Sequence, residues 1–430
     1  LPGNLRAASV PARPPLSLST SALTGPAGTT TTNIRAALAE PASPTINLYL
    51  RDFTSADPWD DNNDILATAT LMASSTSTLV YVESTTTGLS QNDAAAIATE
   101  FDRIYANLAT ACWDGLQASL PPEGNVDDQP RIAIMLAANL DQASNAQGEL
   151  LVSYFEPRDK DTLASNSAGT EMIYANPAIY SSEPANFYGA LAQTLSSMIY
   201  FNQKGNEATS WQNAGIGLFA RQVAGYGFLQ RDPRSVSYVS QYLQHFGNVS
   251  LNHWPDQPTS ADYGMQYLFT QYLFDHCGGY NAIATLERLR NGPPGLEDVN
   301  NYLVTGAYAG NPKVGFTTFF HNFGKALYCD NLGLIDGFPG YDKERHQFSS
   351  LNLRGSVSGI EGMRGVLAGE NPVTAMVMPI KGYGCSCVEY SQGNWGDLEI
   401  TINSSPSAGN FKTWVIYYSA EQIASSTIGQ

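Results

Sequence analysis

Apolar positions in the first part of the chain come as short runs of strand character, and helical spacing takes over in the middle. "TINLYLRDF" and "STLVYVES" read as strands, and "SQNDAAAIATEFDRIYANLATACWDGL" as a long helix opened by Ser90 as its cap, with Ala96, Phe101, Ile104 and Leu108 turned inward. "RIAIMLA", "LLVSYFE" and "EMIYAN" are three further strand-like runs. Helices are then predicted over residues 187–201 and 211–224, and in "SVSYVSQYLQHF", "ADYGMQYLFTQYLFDHC", "AIATLERLR" and "VGFTTFFHNFGKALY". Strands followed by a run of helices predict an α+β domain.

The two ends differ in texture. Residues 1–44 are rich in Pro, Ser, Thr, Ala and Gly without sustained periodicity, the composition of an arm that cannot build its own core and is expected to lie on the chain's own body or on a neighbouring molecule. Beyond residue 342, "VTAMVMPI", "DLEITIN" and "TWVIYYSA" alternate with Gly, Ser and Asn turns, which predicts a β-rich C-terminal domain over 343–430 whose strands suit edge-to-edge pairing between chains. The expected division is therefore an extended arm (1–44), an α+β domain (45–342) and a C-terminal β-sheet domain (343–430).

Composition narrows the function. With 22 basic and 39 acidic residues the net charge is −17, and no Lys/Arg cluster offers a surface for tracking phosphates, so nucleic acid is not an expected partner. Charged residues make up 14% of the chain, against roughly 25% in ordinary soluble domains; such a surface suits extracellular proteins and subunits that bury much of their exterior against neighbours. No apolar run approaches the ~20 residues of a membrane span. The chain starts at Leu1 with no charged-then-apolar leader, which points to an exported protein whose signal has been removed. The expected location is secreted, extracellular or at the cell surface. Cys112, Cys277, Cys329, Cys385 and Cys387 permit up to two disulfides, as structural bridges, or remain as buried thiols. Asn248 in "NVS" and Asn403 in "NSS" mark exposed loops.

One helix carries the frame of a catalytic site. In an H-E-x-x-H peptidase two histidines at i and i+4 hold zinc from one helix face, the Glu between them acts as general base, and a third protein ligand completes the site. In "FYGALAQTLSSMIYFN", Phe187, Leu191, Leu195 and Met198 form an apolar stripe, with Gln193 and Ser197 on the neighbouring face at that i, i+4 spacing. The next helix, "SWQNAGIGLFARQVAGYG", is expected to start at a Ser210 cap and carries Ala214, Leu218 and Arg221 along one side.

These segments resemble the hyicolysin family of secreted zinc metallopeptidases, whose members carry A-H-E-x-x-H-M-I-x-F-N, then W-x-N-E-G-L-x-x-x-A-E, ending near G-Y-G. The matching stretches are "AQTLSSMIYFN" (192–202), "WQNAGIGLFAR" (211–221) and "GYG" (225–227); "EFDRIYANL", "SYFEPRDK", "SNSAGTEMIYAN", "SLNHWP" and "DYGMQYLFTQYLFDHCGG" resemble further landmarks in order. The likeness runs from about residue 46 to about residue 341 and implies a zincin-like fold. The resemblance places Gln193 at the first His, Thr194 at the catalytic Glu, Ser197 at the second His, Ala214 at the third ligand and Arg221 at a later acidic position. An amide, two hydroxyls and a methyl are poor or absent donors for zinc, and the general base is missing. A degenerate site is expected, with no catalytic residue, no bound metal and no cofactor.

No other constellation supplies the chemistry. His245, His253, His276, His321 and His346 show no i, i+4 pairing and no carboxylate in ligand spacing. "GIGLFA" (215–220) matches G-x-G-x-x-A inside a helix instead of at a strand-to-helix turn, and "GSVSG" has Val357 where a nucleophile elbow needs Ser. The acidic turn "DPWDDNND" (57–64) has carboxylates for a hard cation but lacks the Gly and distal Glu of a calcium loop, and reads instead as a solvated turn capping the next helix. Three functions remain in play: a catalytically inactive, peptidase-like subunit that self-assembles through its arm into filaments or a surface layer; a monomeric pseudopeptidase that takes a peptide or protein partner in the old cleft; and a hydrolase acting through an unrecognised site.

Overall fold

The strand-like runs of the first part assemble into one mixed sheet, and every later described element up to residue 329 is helical, which makes the chain an α+β protein. The computed structural model describes residues 44–109, 126–127, 131–144, 150–205, 209–288, 295–305, 314–333, 341–355, 366–367, 382–385 and 387–389. The predicted arm up to residue 43, and the strands predicted in "VTAMVMPI", "DLEITIN" and "TWVIYYSA", lie outside the described residues. Among the described residues the C-terminal region contributes a two-residue parallel pair, β7 (Val366–Leu367) with β8 (Val388–Glu389).

The described residues fall into two units, one running to Arg234 and taking up Ile283 onward to residue 288, the other formed by Ser235–Ala282 and the described residues from Gly295 on.

The first unit is built on β1 (Thr45–Leu50), β2 (Ile65–Ser74), β3 (Thr78–Glu83), β4 (Ile132–Leu136), β5 (Ser153–Phe155) and β6 (Met172–Ala175), in the order β1-β2-β3-β4-β6-β5. β3, β4 and β6 run parallel; β1, β2 and β5 are antiparallel to their neighbours. The connection from β3 to parallel β4 contains α1 (Gln91–Leu108), which packs on β2 and β3. β3, β4 and β6 are buried at every position, so both faces of the sheet centre are covered, while β1 alternates as a one-sided edge. Ile46, Leu48, Leu79, Tyr81, Met135, Met172 and Tyr174 lie in one apolar cluster.

Ser90 caps α1, as its sequence predicts, and completes a capping box with Asp93. The inward stripe is Ala94, Ile97, Ala98, Phe101, Ile104 and Leu108. Ala96, predicted to face inward, is exposed, because the 100° step between residues puts Ile97 and not Ala96 in line with Phe101 and Ile104. β2 has no counterpart among the predicted elements. Its first two apolar residues, Ile65 and Leu66, are 37% and 60% exposed, its buried positions are Ala67 and Ala69, and Leu71 is half-buried against the core.

After β6 come α2 (Pro177–Ser182), α3 (Pro184–Lys204), α4 (Ser210–Val223) and α5 (Pro233–His245), which begins in the first unit. α3 lies on β5 and β6 and pairs with α4. The second unit contains α6 (Ser260–His276), α8 (Leu296–Thr305) and α9 (Phe316–Cys329), with α7 (Tyr280–Arg288) starting in it. α6 is buried almost all round, and its Phe269 meets Phe316, Phe319, Phe320 and Phe323 of α9. Among the described residues no helix is long and apolar enough to cross a membrane.

Candidate functional site

The predicted catalytic frame lies on α3 and α4. Pro184 at the first turn sets the start of α3, and Gly205, at φ 58°, ends it. Phe187, Leu191, Leu195 and Met198 are fully buried, so the apolar stripe anchors α3 as its spacing requires. α4 starts one residue before its predicted cap position is filled: the N-cap is Thr209, without a side-chain cap bond, and Ser210 is the first helical residue. Thr209 instead joins Tyr200, whose hydroxyl donates to Gln212 Oε1 at 2.8 Å and pins the end of α3 to the start of α4.

Two close approaches fix how α3 meets α4. A Cβ on Gly217 would come within 2.9 Å of Gln193 Cγ, and a Cβ on Gly189 within 2.9 Å of the Arg221 guanidinium carbon. Gln193 is one turn beyond Gly189, and Gly217 one turn before Arg221, so the helices run antiparallel with a long polar side chain over a glycine twice in succession. Ala214 of α4 is buried and Ser197 of α3 half-buried. Gln193 and Arg221 thus lie in the α3–α4 contact, while Thr194 leaves it: its hydroxyl lies 2.7 Å from Ser153 Oγ of β5.

The electrostatics of the interface oppose a cation. Arg221 is fully buried, with Nη2 donating to Asn186 Oδ1 at 3.2 Å and to Asp232 Oδ2 at 3.3 Å. Its Nε and Nη1 find no hydrogen-bond partner among the described residues, and neither does Gln193 Oε1. Zinc sites are made by imidazole, thiolate and carboxylate donors at about 2.0–2.3 Å; the positions concerned carry a neutral amide, two hydroxyls, a methyl and a guanidinium. These residues do not fit a zinc ion. Nor do the described residues hold elsewhere a group of three or more His, Cys, Asp or Glu side chains arranged for a metal.

The remaining candidates have structural partners. The acidic turn precedes a strand, β2, and not a helix; Asp60 caps a single 3₁₀ turn over Asp61–Asn63. Its carboxylates meet arginines that sequence spacing does not bring together. Arg51 Nη1 lies 2.8 Å from Asp61 and 3.5 Å from Asp64, its Nε donates to Glu156 at 2.8 Å, and Arg158 bonds to both Asp61 and Asp64. Beside this network Asp159 is enclosed, accepting from Tyr174 Oη at 2.7 Å and Ala168 N at 2.8 Å; burial pushes its carboxyl up to about 7.

In the second unit His276 bonds to the Gln347 carbonyl and buried His346 accepts from the Asp342 amide, with burial lowering both imidazoles, His346 to about 4. His245 bonds to the Gln241 carbonyl, His253 is exposed and His321 half-buried. Cys277, Cys329, Cys385 and Cys387 are free thiols, and burial pushes Cys329 and Cys385 up to about 12; Cys112 lies outside the described residues. Gly215 and Gly217 of "GIGLFA" are inside α4. Asn248 is exposed, and Asn403 lies outside the described residues.

Sequence reading missed Ser153, Asp232, Arg51 and Arg158, whose partners are distant in the chain. Only Gly189 of α3 and Gly217 of α4, costly in helix interiors unless something packs on them, signalled the close contact. No protein-family model matches the chain, and no curated protein matches it.

Proposed function

We propose that this chain is a catalytically inactive, metallopeptidase-like protein of zincin type, exported and used as a structural subunit that assembles with copies of itself. The observation that carries the reading is at α3 and α4, where three of the five positions that the family resemblance assigns to zinc chemistry have side chains engaged in packing or in pairing with their own fold. Gln193 is seated on Gly217, Thr194 is joined to Ser153, and Arg221 is paired with Asp232. Low charge density and the arm of residues 1–44 support the structural half of the reading, since an arm held by a neighbour links subunits at high effective concentration.

A second reading is favoured by one observation. β5 is an antiparallel strand at the edge of the described sheet, directly beside α3. An edge in that place can take an extended peptide by strand addition, as a pseudopeptidase that binds without cleaving would require.

Negative-stain electron microscopy with light scattering of the purified full chain tests the first reading. Filaments, sheets or large oligomers are expected; a monomer independent of concentration would remove it and leave peptide binding beside β5 as the function to measure.

A further inference from the structure

Away from the α3–α4 interface, the first unit has an open recess of about 450 Å³ lined by Ala95, Ala96, Thr99, Glu100, Tyr188 and Tyr226. Its floor is the outward face of α1, where Ala95, Ala96 and Thr99 are exposed and short enough to admit close approach. Its wall is aromatic. Tyr188 and Tyr226 stack with ring centroids 5.6 Å apart, and Tyr180 meets Tyr188 edge-on at 6.2 Å.

The wall is held in place before any ligand arrives. Tyr226 Oη donates to Glu100 Oε1 at 2.6 Å, Arg103 Nε donates to the same oxygen at 2.7 Å, and Arg103 lies over the Tyr226 ring while its Nη2 bonds the Ala224 carbonyl. Both bonds to Glu100 fall on Oε1, so among the described residues Oε2 is left to accept from a further donor. Asp93 lies on the same face of α1 two turns before Glu100, with Tyr180 Oη 3.4 Å from its Oδ1. The recess thus combines tyrosine faces, a flat apolar floor and negative charge.

That chemistry matches one stretch of this chain. "PARPPL", Pro11 to Leu16, has a P-x-x-P frame with Arg13 inside it. Proline-rich stretches favour the extended polyproline II form, which has no internal hydrogen bonds and docks into aromatic-lined grooves with little ordering cost. Up to residue 43 the chain has Arg6, Arg13 and Arg35 against Glu40 alone, in a protein of net charge −17, so the arm is basic and the rest acidic. The chain between Pro15 and Pro44 can span about 100 Å when extended, enough to reach another molecule.

We propose that Pro11–Leu16 of one copy docks in the Tyr188–Tyr226 recess of a neighbouring copy, proline rings on the tyrosine faces and Arg13 on Glu100. That the arm comes from a neighbour rests on the assembly reading above; the fit of segment to recess does not.

The test uses the full chain carrying Pro11→Ala, Pro14→Ala and Pro15→Ala, so that its own arm does not compete, titrated with a labelled synthetic peptide of residues 6–20 and followed by fluorescence anisotropy. Saturable binding is expected, weakened about tenfold or more by Tyr188→Ala and to a similar degree by Arg13→Glu in the peptide. Thr99→Arg, at an exposed position that cannot disturb the core, should block the recess equally. No saturable binding, or binding indifferent to all three changes, would overturn the docking. Peptide binding as expected, combined with a wild-type chain that stays monomeric, would place the arm on its own body and sink the neighbour-to-neighbour contact and the assembly reading together.

Discussion

Gln193 of α3 lies directly on Gly217 of α4, with no room for a methyl group between them. The side chain at the position that the family resemblance would give to a zinc-binding histidine thus fills the space over a glycine. Gly217→Ala puts a Cβ 2.9 Å from Gln193 Cγ, and such overpacking is expected to cost about 1–3 kcal/mol. Combining it with Gln193→Ala should recover part of that loss, with a coupling of about 0.5–3 kcal/mol. Urea unfolding of the two single variants and the double variant measures it; additive costs would mean the two residues do not share the contact.

Arg221 makes a second prediction. Its guanidinium is fully buried against Asp232 and Asn186. Removing one partner of such a pair leaves the other charge uncompensated, so Asp232→Ala should destabilise the first unit by about 3–5 kcal/mol. Arg221→Met combined with Asp232→Asn, which removes both charges, should cost clearly less. Denaturant midpoints compare the two.

The acidic turn is predicted to be indifferent to calcium. Asp61 and Asp64 are held by Arg51 and Arg158, and Asp57 and Asp60 accept from the Trp59 and Asn62 amides. A ligand that bound the folded state would raise the melting temperature; millimolar calcium should leave it unchanged, whereas Asp64→Ala should lower stability by about 3–5 kcal/mol. Differential scanning calorimetry with and without calcium checks both.

Asp159 predicts the sign of a pH dependence. Burial raises its carboxyl from 3.8 to about 7. Below pH 3.8 the folded and unfolded chains both hold the proton; between about 4 and 7 the unfolded chain releases it while the folded chain keeps it, so stability falls as pH rises through this window. The loss should be of the order of a few kcal/mol. Asp159→Asn retains an acceptor for Ala168 and should flatten that part of the stability profile.

Much of the architecture was legible because it rests on local patterns. The cap at Ser90, the stripe Phe187, Leu191, Leu195 and Met198, and the apolar runs that became β3, β4 and β6 all follow from spacing and residue type. β2 escaped notice because its fully buried positions are alanines and its first two apolar residues, Ile65 and Leu66, face outward. The polar network around the acidic turn could not be read at all: Arg51 and Glu156 are 105 residues apart, and pairing over that distance leaves no local signature. In the candidate site, spacing placed Gln193 on α3 and Arg221 on α4, but it did not show that each is seated on a glycine of the other helix, nor that Thr194 turns toward Ser153.

The central claim is that the groups at the α3–α4 interface cannot hold a divalent metal ion. Elemental mass spectrometry of the full chain, purified without chelators and incubated with zinc before gel filtration, measures this directly. The account predicts zinc far below one ion per chain, unchanged by Gln193→Ala; one tightly held zinc per chain that disappears with Gln193→Ala would contradict it.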